Sequence, residues 1–444
     1  MPNTPAPLPH IVVLGAGFGG LTFCQRFPDG IARITVIDRR NHHLFQPLLY
    51  QVASAGLSAV DIAQPIRAIL AKKPNLDVLM AEVTGVDFAS RRVVHEFGEL
   101  AYDYLVLALG GVTSYFGHPE WEAHAPGLKS LADALHIRRK ILYAFERAET
   151  EPDPAKQQEL MNIVVVGGGP TGVELAGTFA ELARTVLRRD FKHIDPARAH
   201  ILLIEGGPRV LAAFPPELSA SAQRQFEHLG VEVRTGLKVE DIRDGEIIAG
   251  GKSIRAANII WGAGVGGNPL AKKLGVELDR AGRVKVRPDL SLPSHPEVFA
   301  VGDMVSLVDK NGVTVPGVSP AAMQMGAHVA KIIARSINPG PRARRGETGQ
   351  RQGRVEVAQR PAFAYWDKGT MATIGRSAAV AHIGRLKFSG WPAWAAWLFV
   401  HLIFLVSFRS KLSVLMSWTY SYFTYKRGAR VITGTGGSPP AASA

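Results

Sequence analysis

Residues 10–23 read HIVVLGAGFGGLTF, an apolar run that enters a glycine-rich turn and leaves it in helix-forming sequence. Gly15, Gly17 and Gly20 occupy the GxGxxG positions, with Ala16, Phe18 and Gly19 between them. The first glycine permits the tight turn, the second admits a pyrophosphate to the backbone, and the third lets helix lie on strand. The helix start then offers free N–H groups and the positive end of its dipole. The next apolar run, ARITVID, ends at Asp38, 18 residues after Gly20, where an acid can accept from a ribose diol. Arg39 follows directly.

The pattern recurs at residues 162–177, NIVVVGGGPTGVELAG, with Gly167, Gly169 and Gly172 around Pro170 and Thr171. Its second strand, AHILLIEGG, closes at Glu205, 33 residues beyond Gly172. The excess over the usual ~20 residues is assigned to RTVLRRDFKHIDPARA, read as a helix extension plus loop. An acid at Glu205 repels a 2′-phosphate and favours NADH, although Arg209 keeps an NADPH reading open. Two dinucleotide sites in one chain suit a flavin and a nicotinamide, which together make a hydride-transfer pair. HPEVFAVGDMV delivers Gly302 and Asp303 to a strand end, where a carboxylate could hold flavin ribitol. YDYLVLALGG and AANIIWGAG end in small residues, Gly110 and Gly264 among them, that let a nucleotide lie on backbone.

Composition narrows the classes. Net charge is +13, but the basic residues are scattered and no nucleic-acid module is present, so a nucleic-acid partner is not expected. Cys24 is the single cysteine, so no intrachain disulfide, CxxC pair or thiolate metal cluster can form; no metal is expected, and Cys24 reads as a buried packing residue. The opening MPNTPAPLPH lacks the basic and apolar regions of a secretory signal, which points to the cytoplasmic side.

The end of the chain is different. From Phe388 to Phe408 there are 21 residues without Asp, Glu, Lys or Arg. One helix over Trp391–Phe408 would be ~27 Å long, the short edge of a ~30 Å hydrocarbon core. A span would leave Arg409, Lys411, Lys426, Arg427 and Arg430 on the far side, against the positive-inside tendency. Two helices lying in the interface avoid that conflict. Trp391, Trp394, Trp397, Trp418, Tyr420, Tyr422 and Tyr425 would then sit among headgroups, and the basic cluster would meet anionic lipid. A true span and a helix buried in a dimer are the alternatives.

The paired fingerprints with ALGG, WGAG and VFAVGD resemble the two-dinucleotide-binding flavoproteins. Within that superfamily, HHLFQPLLYQVASAGL, YWDKGTMATIGRSAAV and WLFVHLIFLVSFRSKLSVLMSW resemble the type II NADH:quinone oxidoreductases. The resemblance implies FAD on the first loop, NADH on the second, and quinone reduction at a membrane surface. One apolar stretch whose only titratable side chain is His401 encloses no proton path, so proton pumping is not expected. It marks Gly15, Ala16, Gly17, Phe18, Gly19, Gly20, Asp38, Arg39, Gln46, Gly110, Gly302, Asp303 and Ala322 for the flavin. It marks Gly167, Gly169, Pro170, Thr171, Gly172, Glu205 and Gly264 for NADH. Glu174 matches a family glutamate near the flavin–nicotinamide junction; from its place it also reads as a first-turn acid complementing the helix dipole. The family's quinone signature AQxAxQ is met here by Ser319 to Gln324, SPAAMQ: Ala322 and Gln324 match, Ser319 and Pro320 do not. Gln324 reads as quinone-facing or as a plain polar helix residue.

The expected fold is α/β: two Rossmann-like dinucleotide-binding domains plus a C-terminal amphipathic helical membrane anchor. The FAD domain takes residues 8–120 and 276–335, a helical connection 121–159, and the NADH domain 160–275. An exposed loop over 336–360, the anchoring region 361–432 and a flexible tail 433–444 complete the chain. The partners implied are a membrane quinone and an anionic lipid surface, a homodimer being allowed, with the enzyme on the cytoplasmic side of the cell inner membrane. A tethered NADH-binding flavoprotein without turnover, or an NADH oxidase using oxygen, would share these features.

Overall fold

A computed structural model describes residues 7–338, 360–424 and 426–432. The glycine stretches form as the sequence dictates. His10–Leu14 runs through the first loop into helix α1, Phe18–Arg26, and on to strand Arg33–Asp38. Ile163–Val166 runs through the second into α2, Pro170–Glu181, and on to strand Ile201–Glu205. Between α2 and that strand lie a π-helical turn, Leu182–Val186, a 3₁₀ turn, Leu187–Arg189, and a loop, which account for the long interval to Glu205.

Each loop belongs to its own compact unit. The first unit takes the chain up to His43, then Gln64–Val112 and Val265–Asp367. Its parallel sheet has five strands in the order Val298–Ala300, Tyr104–Leu107, His10–Leu14, Arg33–Asp38, Leu76–Met80. Every residue of His10–Leu14 is buried, as a central parallel strand covered on both faces requires. Helix α3, Ser319–Ile337, crosses α1 at two glycines: a Cβ on Gly326 would lie 2.2 Å from the Gly19 carbonyl oxygen. Ser319 and Pro320 form the first turn of α3, where proline's missing N–H costs nothing.

The second unit comprises Leu44–Ala63, Thr113–Gly264 and the chain from Lys368. Its four-stranded parallel sheet is ordered Glu232–Thr235, Ile201–Glu205, Ile163–Val166, Asn258–Trp261. A three-stranded antiparallel sheet, Thr370–Gly375, Ala378–Ile383 and Leu386–Ser389, packs on α2. The approach is close: a Cβ on Gly177 would lie 1.6 Å from the Ile374 carbonyl oxygen.

Helices α4, Trp391–Phe404, and α5, Phe408–Thr424, follow. Pro392 sits in the first turn of α4 after Gly390. The single helix expected to reach Phe408 instead stops at Phe404, so α4 is about 21 Å long. Leu405 is extended and buried, and the Ser407 hydroxyl accepts from the Ser410 N–H at 3.0 Å to start α5. Among the described residues no helix is long and apolar enough to cross a membrane. Most of the expected 336–360 loop, Tyr425 and the 433–444 tail lie outside the described residues.

Candidate active site

The two glycine loops share one geometry. In the first, a Cβ on Gly15 would lie 2.5 Å from the Ala108 carbonyl oxygen, and one on Gly20 2.0 Å from that of Gly15. Around Gly17 nothing lies within 4 Å of that position. In the second, Gly167 and Gly172 are closed in the same way, at 2.7 Å from Ala263 N and 1.8 Å from Gly167 O, while Gly169 is open. Gly17 and Gly169 are the N-caps of α1 and α2, and neither start is capped by a side chain. Each loop is thus a cradle of free N–H groups beside open space, the fit a dinucleotide pyrophosphate requires.

The acids follow the same rule. Asp38 accepts from Ala16 N–H and Arg40 N–H, both at 2.8 Å. Glu205 accepts from Gly168 N–H at 2.5 Å and Gly207 N–H at 2.6 Å. In each case the carboxylate ties the residue after the first glycine to the residue two beyond the acid. Carboxylate oxygens carry about four lone-pair sites in all, so each acid can still accept from hydroxyls. Arg39 points elsewhere, to Glu82 at 3.8 Å on the surface. Arg209 donates to the Ala212 carbonyl at 2.7 Å.

In the first unit Gly302 has a φ of 78°, and Ala322 lies between it and Gly19, within 3.4 Å of a Cβ built at either. Asp303 follows, and among the described residues no protein group hydrogen-bonds its carboxylate. Gly110, at φ 71°, also faces open space. Both ends of the Gln324 amide are engaged: Oε1 accepts from Trp366 N–H at 2.9 Å and Nε2 donates to Trp366 O at 3.0 Å. It clamps a neighbouring backbone rather than standing free.

In the second unit Gln46 donates to the Lys129 carbonyl at 3.2 Å, and Gly264 sits under the ring of Phe116. Glu174 corrects the first-turn reading. Because α2 begins at Pro170, Glu174 falls in the second turn and complements no terminus. Burial pushes its carboxyl well above the usual range, only partly offset by a hydrogen bond from the Thr373 backbone. Tyr50, fully buried, is likewise pushed up by burial and by the Glu174 charge, and Gln51 Nε2 donates to its hydroxyl at 3.0 Å. Cys24 is a packing residue of α1 whose thiol burial pushes up to about 12.

The aromatic and basic residues at the end of the chain do not all face outward. Trp391 and Tyr420 are exposed, but Trp397 is 1% exposed, packed among Tyr50, His401 and Trp418. Trp394 stacks on Tyr422. Arg427 is buried and bonded to Glu181, and Arg430 pairs with Asp190, so both are committed to protein partners. Tyr50, Gln51, Asp61, Glu181 and Arg427 are the residues that sequence reasoning missed. Of these, Asp61 carried a local signal, as the third helical residue of a capping box begun by Ser58.

Residues 9–326 match the model of the pyridine nucleotide-disulphide oxidoreductases, and residues 367–426 that of the NDH2 C-terminal domain. The type II NADH:quinone oxidoreductase Ndh of Mycobacterium tuberculosis is 41% identical, over 97% of this chain and 92% of that protein. The chain belongs to the type II NADH:quinone oxidoreductases. Membership makes it a flavoenzyme, with FAD as cofactor, that oxidises NADH with quinone as acceptor. NdhA of the same organism, a type II NADH:quinone oxidoreductase, is 39% identical over 96% of this chain and 89% of its own. The structure of NDH2 from Plasmodium falciparum in complex with NADH has the same fold, with a TM-score of 0.84 at 21% identity, covering 95% of this chain and 99% of that one.

Proposed function

We propose that this oxidoreductase holds FAD on the Gly15–Gly20 cradle and NADH on the Gly167–Gly172 cradle, and works lying on an anionic membrane surface. When bound, FAD supplies the redox chemistry, accepting two electrons as hydride and releasing them to quinone. The protein binds and orients. Asp38 and Asp303 offer acceptors to the sugar hydroxyls of the flavin nucleotide. Glu205 accepts from the NADH ribose and repels a 2′-phosphate. Glu174, where burial favours the protonated carboxyl, places a proton-holding group on the helix behind the second cradle. Gln324 positions rather than reacts, fixing the Trp366 backbone beside the first cradle's helix pair.

The membrane placement rests on one observation: α5 keeps most of its large apolar side chains outside. Its inward side carries Ser410 and Val414, both buried, Trp418 against Trp397, and Ser413 donating to Asp61 at 2.6 Å. Its outward side carries Phe408, Leu412, Leu415, Met416, Tyr420 and Phe423, exposed by 45–82%. Helix α4 adds Phe399 and Ile403 and has no charged side. It is not amphipathic in the expected sense, since both its sides are apolar. Water would leave that surface unsatisfied, whereas the hydrocarbon edge of a bilayer, where quinone dissolves, covers it. Arg409, Lys411 and Lys426 remain for anionic headgroups, on the cytoplasmic side in this reading. The reaction then releases its redox energy without pumping protons.

The test is vesicle flotation of the full chain and of the double variant Phe408→Asp/Phe423→Asp. Burying a phenyl ring is worth about 2 kcal/mol, so removing both should weaken partitioning about a thousandfold. Turnover with a long-chain quinone in the vesicles should fall, while that with a short water-soluble quinone stays. A double variant that floats like the wild type would defeat the placement.

A further inference from the structure

Arg427 reaches back from the strap after α5 to the carboxyl end of α2. One guanidinium nitrogen donates to Glu181 at 2.7 Å; the other donates to Ser54 O at 2.9 Å and Thr178 O at 3.4 Å. The arginine is 8% exposed. The same Glu181 carboxylate accepts from the Arg376 backbone N–H, and Arg376 in turn lies over the Tyr422 ring of α5, 4.2 Å from its centroid.

Helix α2 needs such a partner. Its α-helical hydrogen bonding gives way at Leu182 to the wider π-helical turn Leu182–Val186, a junction open to a second donor. Glu181 also places a negative charge at the negative end of the dipole. A buried cation answers both demands at once. Thr178 O, which accepts from Leu182 N–H as the helix ends, gains a donor from Arg427, and the Glu181 charge is paired.

We propose that Arg427 is a positioning residue for NADH binding: it caps α2 from the C-terminal strap, so that docking of the strap and filling of the second cradle favour each other. The cradle stands at the opposite end of α2, whose close contact with Ile374 leaves no room for the helix to slide independently. Loss of the guanidinium leaves the Glu181 charge unpaired, and α2 relieves it by tilting about the Ile374 contact, which shifts the N–H groups at Gly169 at the far end of a helix about 18 Å long. Linkage makes the effect mutual, so occupancy of the cradle steadies the strap. The inference rests on the reading that the second cradle takes the nicotinamide dinucleotide.

The test uses the full-length, FAD-loaded protein and NAD⁺, which leaves the flavin oxidised. Calorimetric titration should show Arg427→Met binding NAD⁺ about tenfold more weakly, with flavin content and the KM for a short water-soluble quinone unchanged. Arg427→Lys, which keeps the charge, should recover part of the loss. In the wild type, NAD⁺ should slow hydrogen exchange over residues 426–432. A flavin-loaded Arg427→Met that binds NAD⁺ like the wild type overturns the proposal, as does strap exchange indifferent to NAD⁺. If Arg427→Met loses its flavin, the exchange result alone decides. Glu205→Gln separates the two readings: if it weakens NAD⁺ and Arg427→Met does not, only the cap fails, and if neither does, the cradle assignment fails.

Discussion

The two glycine cradles are built alike and supported differently. In each, the outer glycines are closed against backbone, the middle one is open, and an acid binds the N–H after the first glycine. The helices behind them diverge. Helix α1 has nine residues and is braced by α3 at the Gly19–Gly326 crossing. Helix α2 has 12, ends in a π-helical turn, and is braced by the C-terminal sheet at Gly177 and by the C-terminal strap at Glu181. The difference teaches that the C-terminal region completes the packing of α2 as well as presenting an apolar surface. Removing residues 388–444 would therefore leave Glu181 without its buried cation and would not leave NADH handling intact.

The largest effects should come from the closed glycines. Gly20→Ala and Gly172→Ala each force a Cβ onto a backbone oxygen and should cost about 3 kcal/mol or more in flavin-stripped protein. Gly17→Ala and Gly169→Ala should change that stability by less than about 0.5 kcal/mol, yet lose flavin and NAD⁺ affinity respectively. Thermal melts of stripped protein, with flavin content and NAD⁺ titrations, check this. Equal losses at open and closed positions would break the parallel between the cradles.

The acids sharpen it. Glu205→Gln should reduce the preference for NADH over NADPH about tenfold, a change of about 1.4 kcal/mol. Asp38→Asn should lower flavin retention and leave that preference where it was. Ratios of kcat/KM for the two nicotinamides decide, and a preference that follows Asp38 instead would exchange the cradles' roles.

Glu174 supplies an effect that depends on pH and has no counterpart in α1. Its folded pKa is raised by burial, so the folded protein holds a proton that the unfolded chain releases near 4.5. The stabilising contribution is full below about pH 4.5 and is lost as pH rises through the folded value, at up to about 1.4 kcal/mol per pH unit inside that window. Glu174→Gln should remove the slope. Melting temperatures of the two proteins from pH 5 upward should separate as the wild type falls; parallel curves would show that the carboxyl is not protonated in the folded protein.

Local rules were readable where the physics is local. The glycine spacings, Asp38 and Glu205 each follow from what a turn and a strand end demand within a few residues. Cys24 was readable because nothing else could pair with it. Arg427 was not: beside Lys426 it looks like a lipid-facing charge, and its partner Glu181 stands 246 positions away. Trp397 failed similarly, since a tryptophan in an apolar run has the same appearance whether Tyr50 or a headgroup lies opposite. The break after Phe404 has no glycine or proline to mark it, and only Ser407 hinted at a second helix start. Glu174 was misplaced by one turn because the weight of Pro170 as the first helical residue was not carried through.

Cys24 has a practical corollary. A thiol enclosed in the core, with burial disfavouring its thiolate, is out of reach of solvent and unreactive at neutral pH. Thiol-directed reagents will pass it by, and no second native cysteine competes. The wild-type chain is therefore already a silent background for site-directed labelling. A cysteine introduced at Phe408, Leu412 or Phe423 would carry a nitroxide or fluorophore alone, and quenchers set at graded depths could report how far each turn of α5 sinks below the lipid phosphates.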